Sequence, residues 1–471
     1  MLFERVYEEG LAQASYFIGC QREGKAIVVD ARRDIQTYVD LAAKNNMDII
    51  AVTETHIHAD YLSGTRELAA ATGAEIFLSG EGGPDWQYGF AGTTLMHDST
   101  IKLGNITITA KHTPGHTPEH LSFLISDGAV SRDPGFMLSG DFVFVGDVGR
   151  PDLLDEAAGG IDTRFAGAKQ LFQSLKEQFL TLPDHIQVYP GHGAGSPCGK
   201  SLGAIPSTTV GYEKATAWWA PYLQNNDEEG FVAELLAGQP DAHAYFARMK
   251  KQNKQGPAVL GALSPVEELS AEQVVDKLGL KAAVFVDTRE QNEVHRATVV
   301  GALNIPRGAK ASNFAAWVID PEKDNTDLIV LAPNAAAAEE FRAALMRTGI
   351  DSVRYFTTSI DGLPTFAPAL ISPAELTSTS YDALVDIRGK SEFAAGTIPG
   401  AQQLSGGSAM WRLDELPTSG TLVTFCQSGA RNTVVANALR RAGFEVIELE
   451  GSYAAWESFS RQSPKLAVTG R

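Results

Sequence analysis

Thr55 to Tyr61 reads THIHADY and follows the apolar run Met47 to Val52, MDIIAV. The run reads as a buried strand, and the heptapeptide as the loop at its end, where a rigid scaffold holds side chains in place. In extended backbone, residues two apart point the same way. His56 and His58 therefore turn toward one point, and Asp60 continues the row. Two imidazoles and a carboxylate so arranged predict a metal site; the competing reading is an ordinary polar loop.

Three later stretches supply further ligand types, each where an apolar run ends in small residues. They are His116 in HTPGHTPEH, Asp141 in MLSGDFVFV and His192 in VYPGHGAGSPCGK. This order of motifs resembles the metallo-β-lactamase superfamily over roughly the first half of the chain. The resemblance implies an α/β fold, an αββα sandwich whose ligands occupy four loops along one edge.

The 471 residues suggest about three domains, and 44% hydrophobic with 20% charged residues is the composition of packed cores. A net charge of −18 argues against nucleic acid and anionic membrane as partners, because there is no basic field to release counterions. The start, MLFERVYEEG, is charged and lacks an apolar core, so no secretory signal is expected. No stretch approaches the roughly 18 apolar residues that cross a bilayer. Three cysteines make no disulfide framework and point to a reducing cytoplasm, so each is judged as a thiol. Cys20, within a strand-like run, reads as a small buried hydrophobe.

Along the chain, Ser15 to Asp30 predicts two strands joined by a turn at Arg22 to Lys25. Asp34 to Asn45 has helical spacing, Ser63 is expected to cap a helix through Ala71, and Ala74 to Ser79 returns as a strand. Residues 205–250 read as largely helical, with Trp218, Trp219 and Tyr222 in the core and Pro221 as a kink or break. Arg248 to Lys254, RMKKQNK, reads as a solvated helix end in preference to a clamp for a substrate carboxylate or phosphate. His97, His112, His120, His185, His243 and His295 have no expected partners and read as structural or surface groups. Gln255 to Pro265, QGPAVLGALSP, marks a domain boundary.

Beyond it the sequence repeats. LSPVEEL at Leu263 and ISPAEL at Ile371 each precede a strand ending in Asp-x-Arg, VFVDTR to Arg289 and ALVDIR to Arg388. GALNIP and GAQQL follow, then LIVLA to Ala332 and LVTFC to Cys426. Two copies of one α/β unit of roughly a hundred residues account for the second half. In the last copy Cys426-Gln-Ser-Gly-Ala-Arg431 is a strand-to-helix turn that aims N–H groups at the sulfur and favours thiolate, with Arg431 adding a fixed charge. A core thiol is the competing reading. This copy resembles the rhodanese fold, as do Asp386, Arg388 and LEGSYAAW to Trp456; Thr397 departs from it where the family often has histidine. The middle copy has Ala332 and Ala337 in place of Cys426 and Arg431, and reads as catalytically silent. The expected domains are 1–255, 262–367 and 370–471, the last two with parallel sheets.

Tyr61 stands where two-metal hydrolases of the superfamily have a histidine. A phenol must lose a proton with pKa near 10 to ligate strongly, so a second metal is not expected. His56, His116 and Asp141 remain as two imidazoles and a carboxylate, the set that suits non-haem Fe(II) and dioxygen. His58, Asp60 and His192 then orient ligands or contact substrate, with His58 open as a fourth ligand.

The whole arrangement resembles the bacterial persulfide dioxygenase-rhodanese fusions of sulfide detoxification, of the type with a silent middle rhodanese. That resemblance implies one Fe(II) per chain, with Zn as alternative occupant. It implies oxidation of a small thiol's persulfide (glutathione, coenzyme A or another) by dioxygen to sulfite. Sulfur transfer from a Cys426 persulfide would then give thiosulfate. GDVGRPD, with Arg150 and Asp152, resembles the same enzymes and places these two, with Tyr61, toward substrate; a surface ion pair is the competing reading. His192 is a candidate to hold or deprotonate substrate. Cys198, in the Gly-rich loop beside Lys200, reads either as an accessible relay thiol or as a structural cysteine. The alternative function is a zinc-dependent thioester hydrolase of the glyoxalase II type fused to a sulfurtransferase. A homo-oligomer is expected on base rates alone.

Overall fold

In a computed structural model of the protein, residues 1–153, 155 and 163–462 are described. The last residues of the expected third domain, 463–471, lie outside them. The chain forms two compact units, Met1–Ala242 with Phe246–Leu263, and His243–Tyr245 with Ser264–Arg471.

The first unit is built on two six-stranded sheets. One runs in chain order through Leu2–Glu8, Gln13–Cys20, Lys25–Val29, Asp48–Thr53, Glu75–Ser79 and Thr93–Leu95. The other, from edge to edge, is Thr208–Thr209, Gln187–Pro190, Phe136–Gly140, Leu121–Asp127, Ile106–His112 and Thr100–Leu103. Their inner faces share one core, in which Tyr16, Ile18 and Val29 of the first meet Ile108, Phe123 and Leu138 of the second. The outer face of the first sheet is covered by the helices Gln36–Lys44 and Thr65–Thr72 through Tyr38, Ala42 and Leu68. That of the second is covered through Leu171, Phe172, Trp219 and Phe231. Each such side chain removed from water contributes about 1.5–3 kcal/mol, which is why four apolar faces stack as the expected αββα sandwich.

Several local expectations are sharpened or corrected. Gly64 directly precedes the helix Thr65–Thr72, and Ser63, one residue further out, accepts from Thr65 N at 3.1 Å while its hydroxyl donates to Glu54. The break expected beside Pro221 is present and lies at residues 217–219: the helix Val210–Thr216 ends there, and Pro221 sits in the first turn of the next, Ala220–Gln224, where its missing N–H costs nothing. The RMKKQNK segment is not a solvated end, since Arg248, Lys250 and Asn253 of the helix Phe246–Gln255 are buried.

The second unit holds two five-stranded parallel sheets of identical order. The first runs Glu267–Glu268, Val353–Thr357, Asp327–Leu331, Ala283–Asp287, Leu303–Asn304; the second Leu370–Ile371, Glu445–Leu449, Thr421–Phe425, Ala383–Asp386, Gln402–Gln403. The sequence repeat is thus a repeat of topology, and Ala332 and Cys426 follow corresponding central strands.

Candidate metal centre and sulfur loop

The THIHADY loop leaves the strand Asp48–Thr53 and is fixed by buried bonds from three directions. Asp30, at the end of Lys25–Val29, accepts from Thr55 N and Thr55 Oγ1 and pairs with His58 Nε2 at 3.0 Å. Glu119 Oε1 accepts from Ile57 N. Asn253 donates to the His58 and Tyr61 carbonyls and accepts from Ser63 N, at 2.7–2.8 Å. Buried backbone groups so satisfied hold the histidines in one geometry.

His56, His116 and Asp141, from three separate loops, offer ligand atoms all within 4.8 Å of one another, and all three are buried. His116 Nδ1 donates to the Arg150 carbonyl at 2.9 Å, and His56 Nδ1 meets Thr55 Oγ1 at 2.9 Å. Both Nε2 atoms are thereby turned on Asp141 Oδ2, at 3.9 and 3.5 Å. Asp141 Oδ2 is buried with no hydrogen-bond partner. A buried carboxylate oxygen left bare between two imidazole nitrogens is costly by itself and fits a cation. Burial holds His56 well below its ordinary range, with the neighbouring histidines adding to it, so its ring is neutral as a ligand must be. Burial opposes the charge of Asp141, but the His192 ring outweighs it and holds the carboxyl far down.

His58 stands aside from this group: its Nε2 is committed to Asp30, while its Nδ1 is buried without a partner. His192 bridges two carboxylates, Nδ1 to Asp141 Oδ1 at 2.7 Å and Nε2 to Asp60 Oδ2 at 2.8 Å. Tyr61 is fully buried and its hydroxyl donates to the Asp30 carbonyl; burial pushes the phenol well above its ordinary value, making it a still poorer ligand.

Arg150 and Asp152 are not a surface pair. Arg150 is fully buried, binds Asp152 through two nitrogens, and donates to the Pro197 carbonyl at 3.0 Å, tying the His116 loop to the Cys198 loop. Cys198 is not accessible: it is 3% exposed, and Lys200 Nζ turns to Glu234. Burial pushes its thiol well up. It nonetheless lies with Asp60 and His192 in a second group whose ligand atoms are within 4.8 Å of one another.

Four residues escaped the sequence reading. Asp30 ends an ordinary strand, and Asn253 lies nearly 200 residues from the loop that it clamps. Glu119 and His120 sit between recognised positions; His120 Nε2 accepts from Asp141 N at 3.0 Å, so it is not a group without a partner. The His-x-x-x-His spacing from His116 to His120 was the one available signal.

In the second unit Cys426 is 1% exposed at the end of Thr421–Phe425. Gly429 N donates to its Sγ at 3.0 Å, and Ser452 Oγ lies 3.9 Å away. Arg431 is held by Glu392 through two bonds of 2.7 and 2.8 Å, and Glu392 first, then the nearby Cys426 sulfur, favour its charged form. Asp386 takes Arg388 and also accepts from Thr397 Oγ1 at 2.8 Å, so the departure at Thr397 is absorbed as a hydrogen bond.

Residues 9–192 match the Metallo-beta-lactamase superfamily and residues 372–459 the Rhodanese-like domain. A solved metallo-beta-lactamase from Staphylococcus aureus subsp. aureus COL is 37% identical, with a TM-score of 0.67, and the match covers 75% of this chain and 98% of that one. The mitochondrial persulfide dioxygenase ETHE1 of Mus musculus is 26% identical over 41% of this chain and 68% of its own. The probable polyketide biosynthesis zinc-dependent hydrolase BaeB of Bacillus velezensis is 24% identical over 48% of this chain and 89% of its own. The chain belongs to the metallo-β-lactamase superfamily and carries a rhodanese-like domain at its C-terminal end.

Proposed function

We propose that the protein oxidises the persulfide of a small thiol with dioxygen at one Fe(II) held by His56, His116 and Asp141, and that Cys426 carries sulfane sulfur to the sulfite formed. In this reading 1–255 is the oxygenase, 262–367 a silent rhodanese-like domain and 370–471 the sulfurtransferase. The observation that carries it is the bare Asp141 Oδ2 faced by two imidazole nitrogens, with Tyr61 sealed away where a second metal would need a ligand. Similarity to persulfide dioxygenases and the rhodanese-like domain support the same substrate chemistry.

The reaction balances as RSSH + O2 + H2O → RSH + SO3²⁻ + 2 H⁺, with a second persulfide loading the carrier, Cys426–SH + RSSH → Cys426–SSH + RSH, followed by Cys426–SSH + SO3²⁻ → Cys426–SH + S2O3²⁻. When bound, the iron supplies the one-electron chemistry that lets dioxygen react with sulfur. The chain does the rest. Thr55 and the Arg150 carbonyl hold the ligand rings by their Nδ1 sides. His192, between Asp60 and Asp141, holds a proton beside the centre. Cys198, beside His192 but buried and held as the thiol, supports the structural reading of that cysteine and takes no sulfur-carrying role. At the other centre Gly429 N–H and Arg431 stabilise the sulfur anion that leaves or returns.

The test is the product of Cys426→Ser supplied with glutathione persulfide. Oxygen uptake should be retained with sulfite replacing thiosulfate; thiosulfate still formed at the wild-type rate would refute the carrier role. A zinc-loaded protein that cleaves a thioester and consumes no oxygen would put the first unit among hydrolases.

A further inference from the structure

The middle copy lacks a nucleophile, yet it reaches the sulfur loop of the last. Its helix Gln291–Arg296 places Gln291 and His295 one turn apart on one face. His295 Nε2 lies 3.2 Å from both Thr433 Oγ1 and Glu448 Oε2, in the last copy. Glu448 is itself anchored by Arg440 at 2.9 Å. Gln291 Nε2 donates to the Ser428 carbonyl at 3.4 Å, and its Oε1 is buried without a partner. A Cβ on Gly429 would stand 2.5 Å from that oxygen.

Gly429 adopts φ 110°, which side-chain-bearing residues rarely enter, so the peptide before it is free to rotate. That Ser428–Gly429 peptide is trans, and its carbonyl points opposite to its N–H. The N–H is the group 3.0 Å from Cys426 Sγ. A rotated peptide would present the Ser428 oxygen to the sulfur and repel its anion. A donor gripping that oxygen from outside prevents the rotation.

We propose that Gln291 of the middle copy is a positioning residue for sulfur transfer, which latches the Ser428 carbonyl outward and so keeps the Gly429 N–H aimed at Cys426. This rests on the reading of Cys426 as a sulfur carrier, and gives the silent copy a task that needs no nucleophile. The remaining charged groups at the loop, Arg431 with Glu392 and Arg388 with Asp386, all belong to the last copy.

The experiment uses the full chain with Gln291→Met, which keeps length but removes the donor, and Gln291→Glu, which keeps shape but only accepts. Sulfur transfer from thiosulfate to cyanide is read as separate kcat and KM, and alkylation of Cys426 by iodoacetamide at neutral pH is read by peptide mass. Both variants should keep the wild-type unfolding midpoint, lose about 3–10-fold in kcat at nearly constant KM, and alkylate more slowly by a similar factor. Wild-type kcat and alkylation rates in both variants would overturn the latch. If wild-type Cys426 takes no sulfur from thiosulfate, the carrier reading falls, and the alkylation comparison still decides the latch.

Discussion

The two copies in the second unit share a frame and differ at one turn. Each has an Asp-x-Arg pair at the end of a central strand, Arg289 on Asp287 and Arg388 on Asp386, and each aspartate accepts from a threonine at 2.8 Å. Each arginine also donates to a carbonyl eight residues on. At the following strand end they part. In the middle copy Asn334 caps the helix Ala335–Met346 by accepting from Ala337 N at 2.9 Å. In the last copy the corresponding residue is Ser428, no side chain caps the helix Ala430–Arg441, and an N–H goes to Cys426 Sγ instead. The Asn334 carboxamide takes up the Ala337 N–H, one of the donors that a helix N-terminus would otherwise offer an anion. The middle copy thus differs from the last at this turn both in its missing thiol and in one donor taken by Asn334.

The comparison breaks most sharply at the nucleophile. Cys426→Ser should lower sulfur transfer by at least ~10³-fold, whereas Ala332→Cys with Ala337→Arg should carry no persulfide by intact mass while Asn334 remains. Adding Asn334→Ser and Ala335→Gly should begin to load it. His120→Ala removes no ligand but frees the Asp141 amide, and should weaken metal binding by roughly 10–100-fold in a chelator competition. Gly429→Ala must adopt a positive φ against Gln291 and should cost about 10-fold in sulfur transfer and about 1–2 kcal/mol in stability. Arg289→Ala and Arg388→Ala should each cost about 3 kcal/mol in urea unfolding, because each strands a buried aspartate, so the shared pair is frame and not chemistry.

A further contrast sets the paired arginines against a buried lysine of the first unit whose charge the Glu119 carboxylate only partly offsets. Lys250 is 6% exposed, lies 4.5 Å from the Trp86 ring centroid, and is pushed down to about 8 by burial. Folding must then release its proton between about 8 and the unfolded value near 10.4, so stability rises with pH across that window and the penalty is complete below it. Lys250→Met should gain roughly 2–3 kcal/mol at pH 7 and almost nothing above pH 10.5.

The sandwich, the repeat and the grouping of His56, His116 and Asp141 were legible because each is written locally: apolar runs ending in His or Asp, and two copies of one pattern. The row expected of THIHADY from strand period does not hold, because the segment bends out of the strand: His56 alone joins His116 and Asp141, His58 turns to Asp30, and Asp60 turns to His192. What was not legible depends on groups far apart in sequence. Asn253 reads as part of a basic, polar helix end, and only folding carries it to the His58 and Tyr61 carbonyls. Cys198 looked accessible from its glycines, but the Arg150 bond to Pro197 packs that loop against the centre. Gln291 carried no signal, being one glutamine on a helix of a copy without chemistry.

The most direct test is oxygen consumption by the iron-loaded full chain given glutathione persulfide, with sulfite and thiosulfate assayed together and His116→Ala and Asp141→Ala run alongside. The account predicts rapid uptake that ends in thiosulfate in the wild type, and none in either variant. Uptake retained by either variant, or a wild type that consumes no oxygen when iron is bound, would contradict it.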